Sequence, residues 1–418
     1  MRQRELVKYP ITRNPKYDFA GQSYADTYPN LHKYPATMIP QVGIELFKEL
    51  GINRGRLLDP YCGSGSSFIV GLDRRLSEMD GCDINPLAVL IARAKFTKID
   101  IESLENMKQR LRSDVYEFSK NEENFTSLKT PDYTNIHFWF SKEVLLKLTI
   151  LRNFIDLVKD DDIKRFFWVP LSETIRECSW TRSNEYKLFR MKPEELLNFN
   201  PDVFDVYFYK LNKCLDIYKY AYLPLLIENQ AKINVEDRAF EIKDENYDIV
   251  LTSPPYGDSA TTVAYGQFSM FANEWMGMKN ARRLDRMMMG GQTISNKYLS
   301  GLIAEPIMRI HSESPKRALE VSSFYFDLEN SIRDVAASVR RGGIAIYIVG
   351  NRRVKDVQLP TDQFIAEKFE QNGFKHLFTY ERLLGNKVIP SRNSPTNKAG
   401  QASSTMTREY IVASQKIM

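Results

Sequence analysis

The residues best suited to chemistry meet at one junction, where Asp248-Ile249-Val250-Leu251-Thr252 runs into Ser253-Pro254-Pro255-Tyr256. The apolar run reads as a strand. The two prolines then remove two N–H donors and fix φ, leaving the Ser253 hydroxyl and the local carbonyls to accept hydrogen bonds from elsewhere. A group with two N–H donors on a flat ring, such as an exocyclic amine, is the natural complement, and the Tyr256 ring offers it a stacking surface. A bare Pro-Pro-Tyr after a strand is more often an ordinary core turn, so its meaning depends on the rest of the chain.

A second junction supplies that context. Arg56-Leu57-Leu58-Asp59-Pro60-Tyr61-Cys62-Gly63-Ser64-Gly65-Ser66-Ser67 reads as a strand, a glycine turn and a helix start. Gly63 and Gly65 let the backbone approach a ligand closely, and a strand-end carboxylate can accept from a ligand amine or hydroxyl. Met79 to Asp83 reads as the next strand, and Asp83, followed by Ile84, lies where α/β nucleotide sites place the acceptor for ribose hydroxyls. Taken alone, Asp83 would be a helix N-cap ahead of Pro86. Ala231 to Asp237 gives a further strand with an acidic end, followed by Arg238.

The elements that must position these residues alternate strand and helix. Helices are expected at Val42–Leu50, Phe68–Leu76, Pro86–Lys95, Phe324–Val339 and Thr361–Gln371, and strands at Ile344–Val349, Lys375–Thr379 and Glu409–Val412. Residues 1–30 read as an extended arm, and Lys387–Thr407 as a polar loop. The alternation breaks over 100–230, which reads as helical. The chain thus divides into 1–99, a 100–230 insertion and 231–418. Within the insertion, Ser172 to Asn184 includes Arg176 and Arg182 and suits either nucleic-acid contact or a solvated loop.

The 418 residues carry 58 basic and 53 acidic side chains, a balance of +5 that says little about a polyanion partner. Local clustering is more informative. Between 279 and 317, Lys279, Arg282, Arg283, Arg286, Lys297, Arg309, Lys316 and Arg317 face only Asp285, Glu305 and Glu313, which suits a flexible, phosphate-contacting segment. The four cysteines form no Cys-x-x-Cys pair and the four histidines are scattered, so no metal site or disulfide framework is indicated. No apolar run reaches the roughly 18 residues of a membrane span, and a cytoplasmic location is expected.

Together, Asp59-Pro60-Tyr61-Cys62-Gly63-Ser64-Gly65, Asp83, Asp237 and Thr252-Ser253-Pro254-Pro255-Tyr256 resemble the class I S-adenosylmethionine-dependent amino-methyltransferases that act on nucleic acid bases. Tyr34-Pro35-Ala36, running on to Pro40, is similar to the cofactor-flanking segment of that family. The resemblance implies a Rossmann-like α/β fold with a seven-stranded, mostly parallel sheet whose final strand is antiparallel. It implies S-adenosylmethionine as cofactor, with Asp59 and the Gly63/Gly65 backbone along its methionine end. Asp83 would take the ribose hydroxyls, and Asp237 the adenine amine. It further implies a flipped base in double-stranded DNA, with a cognate restriction endonuclease as a companion. The form Ser-Pro-Pro-Tyr is typical of cytosine-N4 enzymes. The motif order, with the catalytic turn after the cofactor loop, departs from many of them and keeps adenine-N6 methylation of DNA, or methylation of an exocyclic amine in RNA, as alternatives. A non-catalytic nucleic-acid binder is the alternative from another class. A dinucleotide-dependent dehydrogenase ranks last, because Phe68 stands where Gly-x-Gly-x-x-Gly needs glycine.

Overall fold

The computed structural model describes residues 7–21, 27–35, 37–182, 186–242, 246–258, 264–384, 392–393, 403–404 and 406–418. Ala36 and most of the expected 387–407 loop lie outside these. The centre is an eight-stranded sheet of β1 (Ile11–Arg13), β2 (Arg56–Asp59), β3 (Glu78–Asp83), β4 (Lys232–Asp237), β5 (Tyr247–Thr252), β6 (Val339–Val349), β7 (Phe374–Leu383) and β8 (Arg408–Lys416). Their spatial order is β1-β7-β8-β6-β5-β2-β3-β4. Of these eight strands only β8 runs antiparallel, between β6 and β7, and the other pairings are parallel.

The sheet is covered on both faces, so its central strands are apolar throughout rather than alternating. Ile249 and Leu251 point to one core with Leu57, Met79, Ile346 and Ile411, while Val250 points to the other with Leu58, Tyr347 and Val412. Helices α1 (Pro40–Glu49), α2 (Ser66–Asp73) and α3 (Pro86–Phe96) pack on the first face.

Residues beyond 100 extend that same core. The helices α4 (Ile101–Phe118), α5 (Lys142–Asp156), α6 (Asp161–Glu177) and α7 (Val203–Ile217) contribute Leu111, Leu148, Phe167 and Tyr207 to the cluster that contains Phe68 and Ile91. Helix α8 (Tyr265–Trp275) closes the group, with Trp275 fully buried and its Nε1 donating to Tyr133 Oη at 2.9 Å. The second face carries α9 (Ala304–Glu313), α10 (Pro315–Ser338) and α11 (Thr361–Gln371).

Four expectations change. The N-terminal arm is not merely extended, since Ile11–Arg13 adds an edge strand beside Thr379–Glu381, giving eight strands where seven were expected. The 279–317 segment is not an open loop: it contains short helical turns at Ala281–Arg283, Leu284–Met287 and Gly301–Ile303, then α9. Helix α10 starts at Pro315, nine positions before the expected Phe324, because Ser314 caps it by accepting from the Arg317 N–H and proline suits the first turn. Strand β6 likewise starts at Val339, and a register shift opposite Tyr247/Ile249 with Gly342 at φ +83° absorbs the glycine pair within the strand.

Because Trp275 joins the 100–230 helices to the sheet's own core, Trp275→Ala should lower stability by about 3–5 kcal/mol. Thermal unfolding should show one transition moving as a whole, not a separate melting of the helical part.

Candidate active site

Parallel pairing places the carboxyl ends of β2, β3, β4 and β5 along one edge. Asp83 lies level with Asp237 in the β3/β4 register, and Leu58 level with Val250 in β2/β5. A crevice at the carboxyl ends of parallel strands is where open α/β sheets bind ligands. The acidic strand ends found in the sequence therefore gather without any further device.

Asp59 is 4% exposed and already occupied. Its Oδ1 accepts from the Thr252 hydroxyl at 2.5 Å and the Tyr61 N–H at 3.1 Å, and its Oδ2 accepts from the Ser67 hydroxyl at 2.5 Å. It ties the end of β2 to the start of α2 and to the residue before the Ser-Pro-Pro-Tyr turn. Burial nonetheless raises its pKa to about 6.

Asp83 is half-exposed. Its Oδ2 accepts from Gly63 N–H at 3.0 Å and its Oδ1 from Asn85 N–H at 2.8 Å, leaving lone pairs open on both oxygens. Burial raises its pKa also to about 6. The cap of α3 is Asn85, which accepts from Leu87 N–H, so Asp83 is not needed for that purpose. Asp237 is exposed at the end of β4, its pKa raised by partial burial. Arg238 next to it is engaged with Glu236 and Glu241.

The turn between β2 and α2 is left-handed at Gly63, φ +49°, and Gly65, φ +86°. A side chain at Gly65 would strike the Phe96 ring at 2.4 Å, so this glycine serves packing as well as backbone freedom. Gly63 faces the Tyr34 ring, 3.9 Å from where a Cβ would lie. Pro60 and Cys62 are buried beneath the turn, where the Pro60 carbonyl accepts from Cys82 Sγ.

Sequence reasoning missed an amide ladder on the Tyr34 side. Asn85 Nδ2 donates to Tyr34 Oη at 2.9 Å, and Asn273 Nδ2 donates to Asn85 Oδ1 at 3.1 Å. Tyr34 also stacks on Tyr265, with centroids 6.0 Å apart. The ladder joins the 34–35 segment, the loop after β3 and α8, and it leaves the buried Asn273 Oδ1 without a partner among the described residues. Pro35 is buried and Ile84 half-buried. Lys95 was also missed: fully buried, it donates to the Ser64 carbonyl at 2.8 Å and so pins the glycine turn from below, with its pKa lowered by burial to about 7. The cap expected of Asp83 taken alone is made by Asn85, and the second bond of that asparagine had no local signal.

The Ser-Pro-Pro-Tyr turn leaves the end of β5 beside this edge. Ser253, Pro255 and Tyr256 are half-exposed and Pro254 is buried. The Tyr256 hydroxyl donates to Glu409 Oε1 at 3.1 Å, a partner on β8 that no local pattern announces.

The basic candidates divide. Arg176 stacks over Phe268 at 4.7 Å and donates to the Phe268 carbonyl, so it fastens α6 to α8. Arg182 is half-buried, and its backbone N–H donates to the Phe189 carbonyl. Arg282 is paired with Glu274 at 2.7 Å and donates to the Thr134 carbonyl. Arg283 and Arg286 are exposed, and Lys297 is half-exposed. Among the described residues no cluster of His, Cys, Asp and Glu could hold a metal, and no helix is long and apolar enough to cross a membrane.

No family model matches the chain. Among curated proteins, the type II methyltransferase M.MvaI of Kocuria varians is 39% identical over 436 aligned positions, which span 98% of this chain and 95% of its own. The chain belongs to the type II methyltransferases. It is thus a site-specific DNA methyltransferase that uses S-adenosylmethionine. The type II methyltransferase M.MjaII of Methanocaldococcus jannaschii is 34% identical over 92 positions, covering 22% of this chain and 17% of its own. Among solved structures, the rRNA methyltransferase aviRa of Streptomyces viridochromogenes covers 96% of this chain and 94% of its own at 13% identity and a TM-score of 0.28, too slight a likeness to bear on function.

For this methyltransferase the raised carboxylates at Asp59 and Asp83 have a measurable consequence. Between about pH 4 and 6 the folded, ligand-free chain holds more protons on them than the unfolded chain, so their contribution to stability falls as pH rises through that window. Where Asp83 takes the ribose hydroxyls, as the resemblance implies, ligand affinity should have the opposite sign, because a protonated carboxyl is a poorer acceptor. Titration calorimetry at about pH 7.5 and 5.5 should show weaker S-adenosylmethionine binding at the lower pH.

Proposed function

We propose that the chain methylates the exocyclic N4 amine of cytosine in double-stranded DNA, with the base flipped into the Ser253–Tyr256 turn. The observation that carries this is the 2.5 Å bond from Thr252 to Asp59, which fixes the turn on the strand next to the cofactor loop. The residues at the strand ends fit S-adenosylmethionine. Asp83 is half-exposed with lone pairs beyond those taken by Gly63 and Asn85, enough for two vicinal hydroxyls, Asp237 is exposed and could accept from an amine, and Asn273 Oδ1 lacks a donor among the described residues. The backbone of Gly63-Ser64-Gly65 would follow the methionine end, while Tyr34, Pro35 and Ile84 would flank the adenosine.

The bound cofactor supplies an electrophilic sulfonium methyl. The chain's own part is to prepare the nucleophile. The lone pair of an aromatic amine is delocalised into its ring, and two acceptors, Ser253 Oγ and the Pro254 carbonyl, would draw its hydrogens out of the ring plane and localise that pair. No strong base is needed beforehand, since the nitrogen becomes acidic only on methylation, and its proton can pass to Ser253, a carbonyl or water. Tyr256 would stack on the flipped base.

Adenine N6 remains the second reading, favoured by the order of the motifs along the chain. Mass spectrometry of nucleosides from treated DNA decides between N4-methylcytosine, expected here, and N6-methyladenine. Ser253→Ala should reduce turnover by about 10²-fold or more with cofactor binding retained; methyl transfer at the wild-type rate would remove Ser253 from this role.

DNA binding is assigned to the exposed arginines of the 279–317 segment, and a cognate restriction endonuclease is the expected companion. Arg283→Glu with Arg286→Glu should weaken DNA binding and flatten its salt dependence, by roughly one unit of slope for each phosphate no longer neutralised. Arg282→Ala should instead lower the melting temperature, because that side chain is committed to Glu274 and the Thr134 carbonyl.

A further inference from the structure

Behind the Ser-Pro-Pro-Tyr turn, hydrogen-bonding groups run in file away from the position of the base. Ser253 Oγ donates to Tyr256 Oη at 3.3 Å, and Tyr256 Oη donates to Glu409 Oε1 at 3.1 Å. Glu409 Oε2 is paired with Arg382 Nε at 3.0 Å, and Arg382 Nη1 donates to the Tyr17 carbonyl at 2.8 Å. Glu409 and Arg382 are opposite one another on β8 and β7, 4% and 1% exposed. The chemistry proposed for the target amine uses neither.

The direction of the file is forced from its buried end. A carboxylate paired with a guanidinium can only accept, so Glu409 requires the phenol hydrogen of Tyr256. Tyr256 Oη then has only lone pairs to offer Ser253, which must give its single hydrogen to the phenol. Ser253 Oγ is left with lone pairs alone toward the turn's open side. The ring has little freedom to choose another arrangement, since a Cβ at Gly350 would come within 2.8 Å of Tyr256 Cδ2.

We infer that Glu409, held by Arg382, is a positioning residue that sets the polarity of this file and thereby makes Ser253 an obligate acceptor for the target amine. The inference rests on the proposed role of Ser253. It explains why a serine can serve where an unconstrained hydroxyl would present either a hydrogen or a lone pair to the substrate.

Glu409→Gln tests it. Arg382 can only donate and would take the amide oxygen, which turns the amide N–H₂ toward Tyr256. The phenol must then accept, its hydrogen passes to Ser253, and Ser253 meets the amine with a hydrogen. Turnover should fall about 10²-fold, with KM for S-adenosylmethionine and DNA affinity within about twofold of wild type. Adding Tyr256→Phe removes the reversed donor while keeping the stacking ring, so the double variant should recover about tenfold or more over Glu409→Gln alone. A merely structural Glu409 would make the double variant no better than the single one, and that result overturns the inference. Should Glu409→Gln fail to bind cofactor, Tyr256→Phe alone carries the test. It leaves Ser253 free to rotate and should cost less than about tenfold, whereas a loss as deep as that of Ser253→Ala overturns the inference. The two readings separate cleanly. Wild-type activity in Ser253→Ala sinks the proposed base site, while an inactive Ser253→Ala beside a fully active Glu409→Gln sinks only the role of Glu409.

Discussion

The buried carboxylate of Asp59 is the constraint on which the site depends. It is desolvated at 4% exposure, and three donors from three elements compensate it: the Tyr61 N–H, the Ser67 hydroxyl and the Thr252 hydroxyl. Leaving such a group unsatisfied costs more than any one bond contributes, so the three donors are held to their places. The glycine turn, the start of α2 and the end of β5 thereby acquire fixed positions relative to one another. A ligand at Asp83 and a base at Ser253 would then be separated by a distance that the fold, not the ligands, determines.

Asp59 is thereby a different kind of residue from Asp83 and Asp237, though all three end parallel strands. Its oxygens are taken by two hydroxyls and a backbone amide, while Asp83 is half-exposed with two backbone donors and Asp237 stands exposed. The distinction comes from depth. Strand β2 is flanked by β5 and β3, whereas β4 lies at the sheet edge, and exposure rises along the row from Asp59 to Asp237.

Much of this architecture was legible in the chain. Strand β5, α11 and the strand ends at Asp59, Asp83 and Asp237 follow from local apolar runs bounded by glycine, proline and acid, because those signals act over a few residues. What was not legible depended on distant partners. Tyr256 and Glu409 are 153 positions apart, and nothing near either one announces the other. Strand β1 has three residues and no apolar period, so only the free edge of β7 reveals it as a strand. The arginines illustrate the same limit from the other side. A guanidinium bonds a phosphate or an internal carbonyl with equal ease, and Arg176 and Arg282 turned inward while Arg283 and Arg286 stayed outside.

The placement of β8 bears on how the molecule comes into being. This strand is the last of the eight to be synthesised, yet it sits between β6 and β7 and brings Glu409 to Tyr256. A growing chain can assemble β2 through β6 while still tethered to the ribosome, but it must keep the slot beside β6 open until residues 408–416 emerge. Such late, long-range closure is slow relative to local folding. Nascent chains should thus form the crevice at the carboxyl ends of β2 to β5 before the Ser253–Tyr256 turn gains its partner on β8, so that the edge of the sheet is laid down earlier than the support behind that turn.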